Sequence, residues 1–145
     1  MNINVRKILA LLAVINLLVI TACKEDDNPV SPGNNLVGTW VLTKIYLTQF
    51  NNAEIKPGDY DISATFDMKS NGTFTAIENY SGEADTTSGT WSEAGGKIKL
   101  TATVDGVNQT EELSYTLQGN LLLVDTTIEM PTFGEQPVRL EFTKQ

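Results

Sequence analysis

From Leu36 onward, apolar and polar residues alternate with a period of two in one run after another, and this alternation restricts the fold more than any other feature of the chain. Successive side chains of a β-strand point to opposite faces, so such runs build a sheet with one apolar and one wet face. Ile62, Ala64, Phe66 and Met68 oppose Asp61, Ser63, Thr65 and Asp67. Ile98, Leu100, Ala102 and Val104 oppose Lys97, Lys99, Thr101 and Thr103. Leu113, Tyr115 and Leu117 share a face, and Val138, Leu140 and Phe142 oppose Arg139, Glu141 and Thr143. No segment after Leu36 keeps a 3.6-residue apolar period for three turns, so no helix is expected there.

Eight strands are read from these runs, at residues 39–50, 61–68, 73–80, 88–93, 97–104, 109–118, 121–129 and 138–144. Ser70-Asn71-Gly72, Ala94-Gly95-Gly96, Asp105-Gly106 and Gly119-Asn120 fall between runs and supply residues that tolerate positive φ. Short turns join sequential neighbours into a meander, and a meander of this size removes its two edges by closing. The expected fold is all-β, a small antiparallel up-and-down barrel of about eight strands. An immunoglobulin-type sandwich accommodates a similar strand count and is the alternative; the short hairpins favour the barrel.

The N-terminus has a different character. Arg6 and Lys7 precede an apolar run from Ile8 to Ile20, which leads into Thr21-Ala22-Cys23. This is the layout of a secretory signal, and the run falls short of the roughly 20 residues a membrane-spanning helix requires. Ile20-Thr21-Ala22-Cys23 resembles the lipobox of bacterial lipoproteins. The resemblance implies cleavage after residues 1–22 and acylation of Cys23, whose chains would hold the protein on a membrane. Lys24-Glu25-Asp26-Asp27 resembles the lysine-plus-acidic tag that sends lipoproteins of Bacteroidota to the outer face of the outer membrane. Residues 28–35, with two prolines, a glycine and three asparagines, read as a flexible tether. The folded domain is expected over 36–145.

Composition narrows the function. Of the 10 basic residues two lie in the signal, so the mature chain sets 8 Lys and Arg against 18 Asp and Glu, a formal charge of −10. Binding to nucleic acid through phosphate neutralisation is therefore disfavoured. Histidine is absent and the single cysteine is the one read as acylated. Ser/His/Asp triads, Cys/His pairs, His-based zinc sites and disulfides cannot be built from this chain. Glu78, Glu93 and Glu129 interrupt apolar surroundings, and a buried carboxyl could act as an acid or base. A lone carboxylate in a strand ordinarily faces solvent, and an enzyme is not expected. Asp59 and Asp61 lack EF-hand spacing, so neither metal nor cofactor is expected.

Gly38-Thr39-Trp40 opens the first strand and resembles the Gly-x-Trp motif of lipocalins and their relatives. Gly89-Thr90-Trp91 repeats the triplet without similar flanks. With its signal, length and hairpin pattern, the chain is similar to the lipocalin-like lipoproteins of Bacteroidota. That resemblance implies a calycin-type barrel in which Trp40 closes one end. Arg139, the only arginine left after signal cleavage, is the candidate to stack on it by a cation–π contact. It further implies a small apolar or amphipathic ligand, with Phe66, Met68, Phe74, Leu100, Tyr115 and Phe142 as candidate lining. The alternative is a filled barrel acting as a surface scaffold, binding a glycan or protein through residues 51–60 or 130–137. The expected protein is a monomer, lipid-anchored in the outer membrane and exposed at the cell surface.

Overall fold

The computed structural model describes residues 35–130 and 134–145. The expected signal peptide, Cys23, the run from Lys24 to Asp27 and the tether up to residue 34 lie outside the described residues, as does Phe133. Nine strands form a single antiparallel sheet: β1 (Gly38–Leu47), β2 (Ala53–Ile55), β3 (Ile62–Met68), β4 (Thr73–Tyr80), β5 (Glu83–Ala94), β6 (Lys97–Val104), β7 (Val107–Gln118), β8 (Leu121–Met130) and β9 (Gly134–Lys144). Neighbours pair in sequence order from β3 to β9, β1 pairs with β3, and β1 also pairs with β9. Eight strands thus close into a barrel, with β2 added beside the end of β1. The sandwich alternative is excluded by this closure.

The turns follow local chemistry. Asp105-Gly106 and Gly95-Gly96 carry positive φ at both positions, as the tight hairpin turns that match strand twist require. Ser81-Gly82 does the same between β4 and β5, a turn missed in the sequence because β5 begins with the polar run Glu83-Ala84-Asp85-Thr86-Thr87. That strand therefore starts five residues before the expected 88. β9 begins at Gly134 and accommodates Pro137 just beyond the last β1 partner, Val138, where only its β8 side is paired.

β1 contains a bulge. Leu42 pairs with Phe142 and Lys44 with Glu141, leaving Thr43 extra, its hydroxyl donating to the Glu141 carbonyl at 3.0 Å. The extra residue reverses the alternation. Trp40 and Leu42 face inward before it, Ile45 and Leu47 after it, as their partners Phe142, Leu140 and Val138 show. Beyond Leu47, residues 48–60 are not the irregular loop expected over 51–60. They hold a 3-10 turn (Thr48–Phe50), β2, and a second 3-10 turn (Pro57–Tyr60) whose buried Pro57 packs that turn against β1 and β3.

The core lies along the barrel axis, with Trp40, Leu36, Ile98 and Val138 among the most completely buried side chains. Every barrel strand contributes to it, with members from Leu36 to Phe142. Trp40, fully enclosed at the start of β1, anchors the closed end, and its indole N–H donates to the Leu36 carbonyl at 2.8 Å. Trp40→Ala is expected to lower the unfolding free energy by about 3–5 kcal/mol in urea titrations of a form beginning at Asn28; a loss under about 1 kcal/mol would contradict its place in the core.

Candidate functional site

The inward faces of the strands, with neighbouring outward residues of β7 and β8, line a part-open cavity of about 470 Å³. Its volume lies in the range of small-molecule sites, roughly 300–1,000 Å³. The space exists because several inward positions carry small side chains: Ala64 on β3, Ala76 on β4 and Ala102 on β6. Gly89 on β5 does not open space; it is required because a Cβ there would run into the Thr101 carbonyl and the Phe74 ring.

The closed end is apolar and rigid. Phe66 and Phe142 meet edge to face with centroids 5.5 Å apart, beside Met68, Phe74 and Trp40. Below Trp40, the Lys144 ammonium sits 5.2 Å from the indole centroid and donates to the Asn35 carbonyl at 3.1 Å. This corrects the expected partner. Arg139 points outward from β9 and forms a fork with Asp125, at 2.7 and 3.1 Å, so the cation on Trp40 is a lysine. The alternation of β9 requires this, because Arg139 alternates with the inward Val138 and Leu140. Gly38 completes the corner: its φ is +138°, and a Cβ would meet Lys144 Cε at 2.6 Å. The Gly-Thr-Trp letters therefore encode a backbone conformation, a close approach and a plug. The second triplet places Trp91 in the core near the same end, its indole donating to the Lys69 carbonyl at 3.0 Å.

Of the six expected lining residues, Phe66, Met68, Phe74, Leu100 and Phe142 border the cavity. Tyr115 does not; it packs at the edge of the core, and its phenol is pushed above its usual pKa by burial, with the charge and a hydrogen bond of Glu93 adding to it. Asp59 and Asp61 are exposed and form no metal-type cluster among the described residues.

The opposite end is polar. Glu78 extends the inward face of β4 beyond Phe74 and Ala76, and Glu111 extends that of β7 beyond Leu113; Thr87, Gln109 and Thr126 stand around them. Burial raises the Glu78 pKa, and Asp85 opposite it on β5 raises it further. Burial likewise pushes Glu111 up to about 7, with repulsion from Glu78 second. The sequence marks Glu78 as a strand carboxylate that ordinarily faces solvent, whereas it faces inward. Glu111 stands two before Leu113, the spacing that marks it as inward. The side chain of Glu129 lies outside the described residues.

Access runs through the wall. The β7–β8 ladder stops at Ser114–Asp125, although β7 stays paired with β6 to Val107 and β8 with β9 to Met130. From that point the two strands splay, and Thr110, Glu112, Asp125 and Thr127, which alternate with the inward residues, also border the cavity. The interior therefore opens through a slit between β7 and β8 near the acidic end.

A closed antiparallel barrel around a cavity with an apolar end fits a ligand-binding scaffold. The chain belongs to the lipocalin-like domain family, whose sequence model matches residues 36–124, from the Trp40 corner into β8. No curated protein matches the chain.

The raised carboxyl makes stability depend on pH. With a folded pKa of about 7 against 4.5 unpaired, the folded barrel retains a proton that the unfolded chain releases in that window. Stability must then fall as pH rises between those values. Glu111→Gln removes this loss, so the variant is expected to be more stable than the parent at pH 8, by an amount on the order of 1 kcal/mol after allowing for solvent at the slit. Thermal melts at pH 8 and pH 4 test this: the gain should be confined to the higher pH, and an equal effect at both would contradict it.

Proposed function

We propose that this protein is an exported, lipid-anchored carrier whose barrel holds a small apolar or amphipathic molecule and catalyses no reaction. The observation that supports it best is the cavity itself: about 470 Å³ of space, walled by aromatic and aliphatic side chains at the closed end and reachable from one side. A barrel of eight strands is just wide enough either to be filled by its side chains or to hold one small ligand. The small residues at Ala64, Ala76 and Ala102 favour the second outcome.

The anchor is supported by the sequence. Cleavage before Cys23 and its acylation tether the barrel through residues 24–35, and Lys24, Glu25, Asp26 and Asp27 direct it to the outer face of an outer membrane of the Bacteroidota type. The acyl chains carry the attachment, because a mature chain of this acidity is repelled by anionic lipid. A carrier at that location acts as a monomer on small molecules outside the cell, without nucleic acid. A surface scaffold is the second reading, favoured by the exposure of Phe50 and Tyr60 on the segment between β1 and β3.

Mass spectrometry of protein purified from its own organism tests both parts. The denatured chain is expected to start at Cys23 with acyl mass added. A form beginning at Asn28 is expected to carry an extra noncovalent mass under native conditions, lost in Ala102→Trp, whose indole occupies the cavity opposite Gly89. An unacylated chain would overturn the anchor. Bare masses for parent and variant alike, together with no uptake of decanol, would overturn the carrier.

A further inference from the structure

We propose that the cavity selects a ligand with an apolar body and a cationic nitrogen head, an alkyl amine or ammonium, whose head sits between Glu78 and Glu111 beside the β7–β8 slit. This rests on the carrier reading and names its ligand class.

The cavity is polarised along its length. One end is aromatic and aliphatic, and no lysine or arginine borders any part of it, while five carboxylates do. Three of the five are accounted for without a ligand. Asp125 is held by Arg139 on the outer face, Glu112 is 3.5 Å from Lys97, and Glu135 is exposed. Glu78 and Glu111 have no ion pair or hydrogen bond among the described residues, and both are part-buried.

No group facing this pair carries a positive charge. Asp85 and Thr87 approach from β5, Leu100 from β6, Gln109 from β7, and Thr126 and Ile128 from β8. Neutral donors from Thr87, Gln109 and Thr126 stand nearby, but among the described residues no cation balances either part-buried carboxylate. A fatty acid would add a third negative charge to a pair that already repels itself. A neutral alkyl chain would remove remaining water and offer nothing in return. An ammonium head supplies up to three charge-assisted donors to oxygens otherwise unpaired, while its chain lies along Phe66, Phe142 and Trp40.

Binding in this arrangement exchanges a proton for a cation. Near neutral pH, Glu111 carries a proton part of the time, and an arriving ammonium releases it. The alkyl ammonium, with a pKa near that of lysine at roughly 10.4, stays charged throughout. Affinity for an amine must then rise with pH from 5 to 8, whereas affinity for an alcohol must not.

Matched probes test this on the form beginning at Asn28, with the change in tryptophan fluorescence reporting occupancy. Decylamine, decanol and decanoate share one chain and differ in the head; ethylamine has the charge without the chain. At pH 8, decylamine is expected to bind about tenfold tighter than decanol, decanoate more weakly than both, and ethylamine without saturation. Glu78→Gln/Glu111→Gln should cost decylamine about tenfold and leave decanol within about twofold. If decanol equals or exceeds decylamine, or the double variant leaves decylamine unchanged, the head-group assignment is wrong and the carrier stands. If no decyl probe binds to a folded barrel, the carrier reading fails and takes this proposal with it.

Discussion

The pairing of β1 with β9 is the constraint on which the rest depends. An open meander of this length exposes two rows of unpaired backbone groups, and its apolar face has nothing to pack against. Closure removes both problems at once, because each strand gains a second neighbour and all inward faces converge on one axis. The bulge at Thr43 is part of that solution. Without the extra residue, Ile45 and Leu47 would face solvent from the half of β1 that meets β9.

Closure also sets the limits of the interior. At the narrow end, two tryptophans and Leu36 exclude water, and Gly38 lets Lys144 lie on Trp40 without a clash. Farther along, alanines stand where a filled barrel would need large residues, and β7 and β8 part company beyond Ser114 and Asp125. The same geometry that makes the space brings two carboxyls into it. In a wet groove Glu78 and Glu111 would be ordinary; in a half-closed barrel without a cation they become the groups a ligand must satisfy.

Much of the architecture is legible in the residues themselves. The alternation around Ala64, Leu100 and Phe142 points to one apolar face per strand, and the Asp105-Gly106 and Gly95-Gly96 turns imply sequential pairing. What escaped is what tertiary context decides. β2 is three residues long and exists only because β1 offers it an edge. The start of β5 is too polar to read as a strand and becomes one by hairpin pairing with β4. Arg139 was matched to Trp40 as the one arginine available, but an indole accepts either cation, and strand phase gave the place to Lys144. Glu111 was legible by period from Leu113, yet only burial shows what that position does to its charge.

The account depends above all on the barrel being hollow. Xenon enters dry apolar cavities and leaves packed cores empty, so crystals of the form beginning at Asn28 should be pressurised with the gas and their diffraction compared with untreated ones. The account predicts xenon between Phe66, Phe142 and Trp40. A barrel that takes up no xenon there, its space occupied by rearranged side chains, would contradict it.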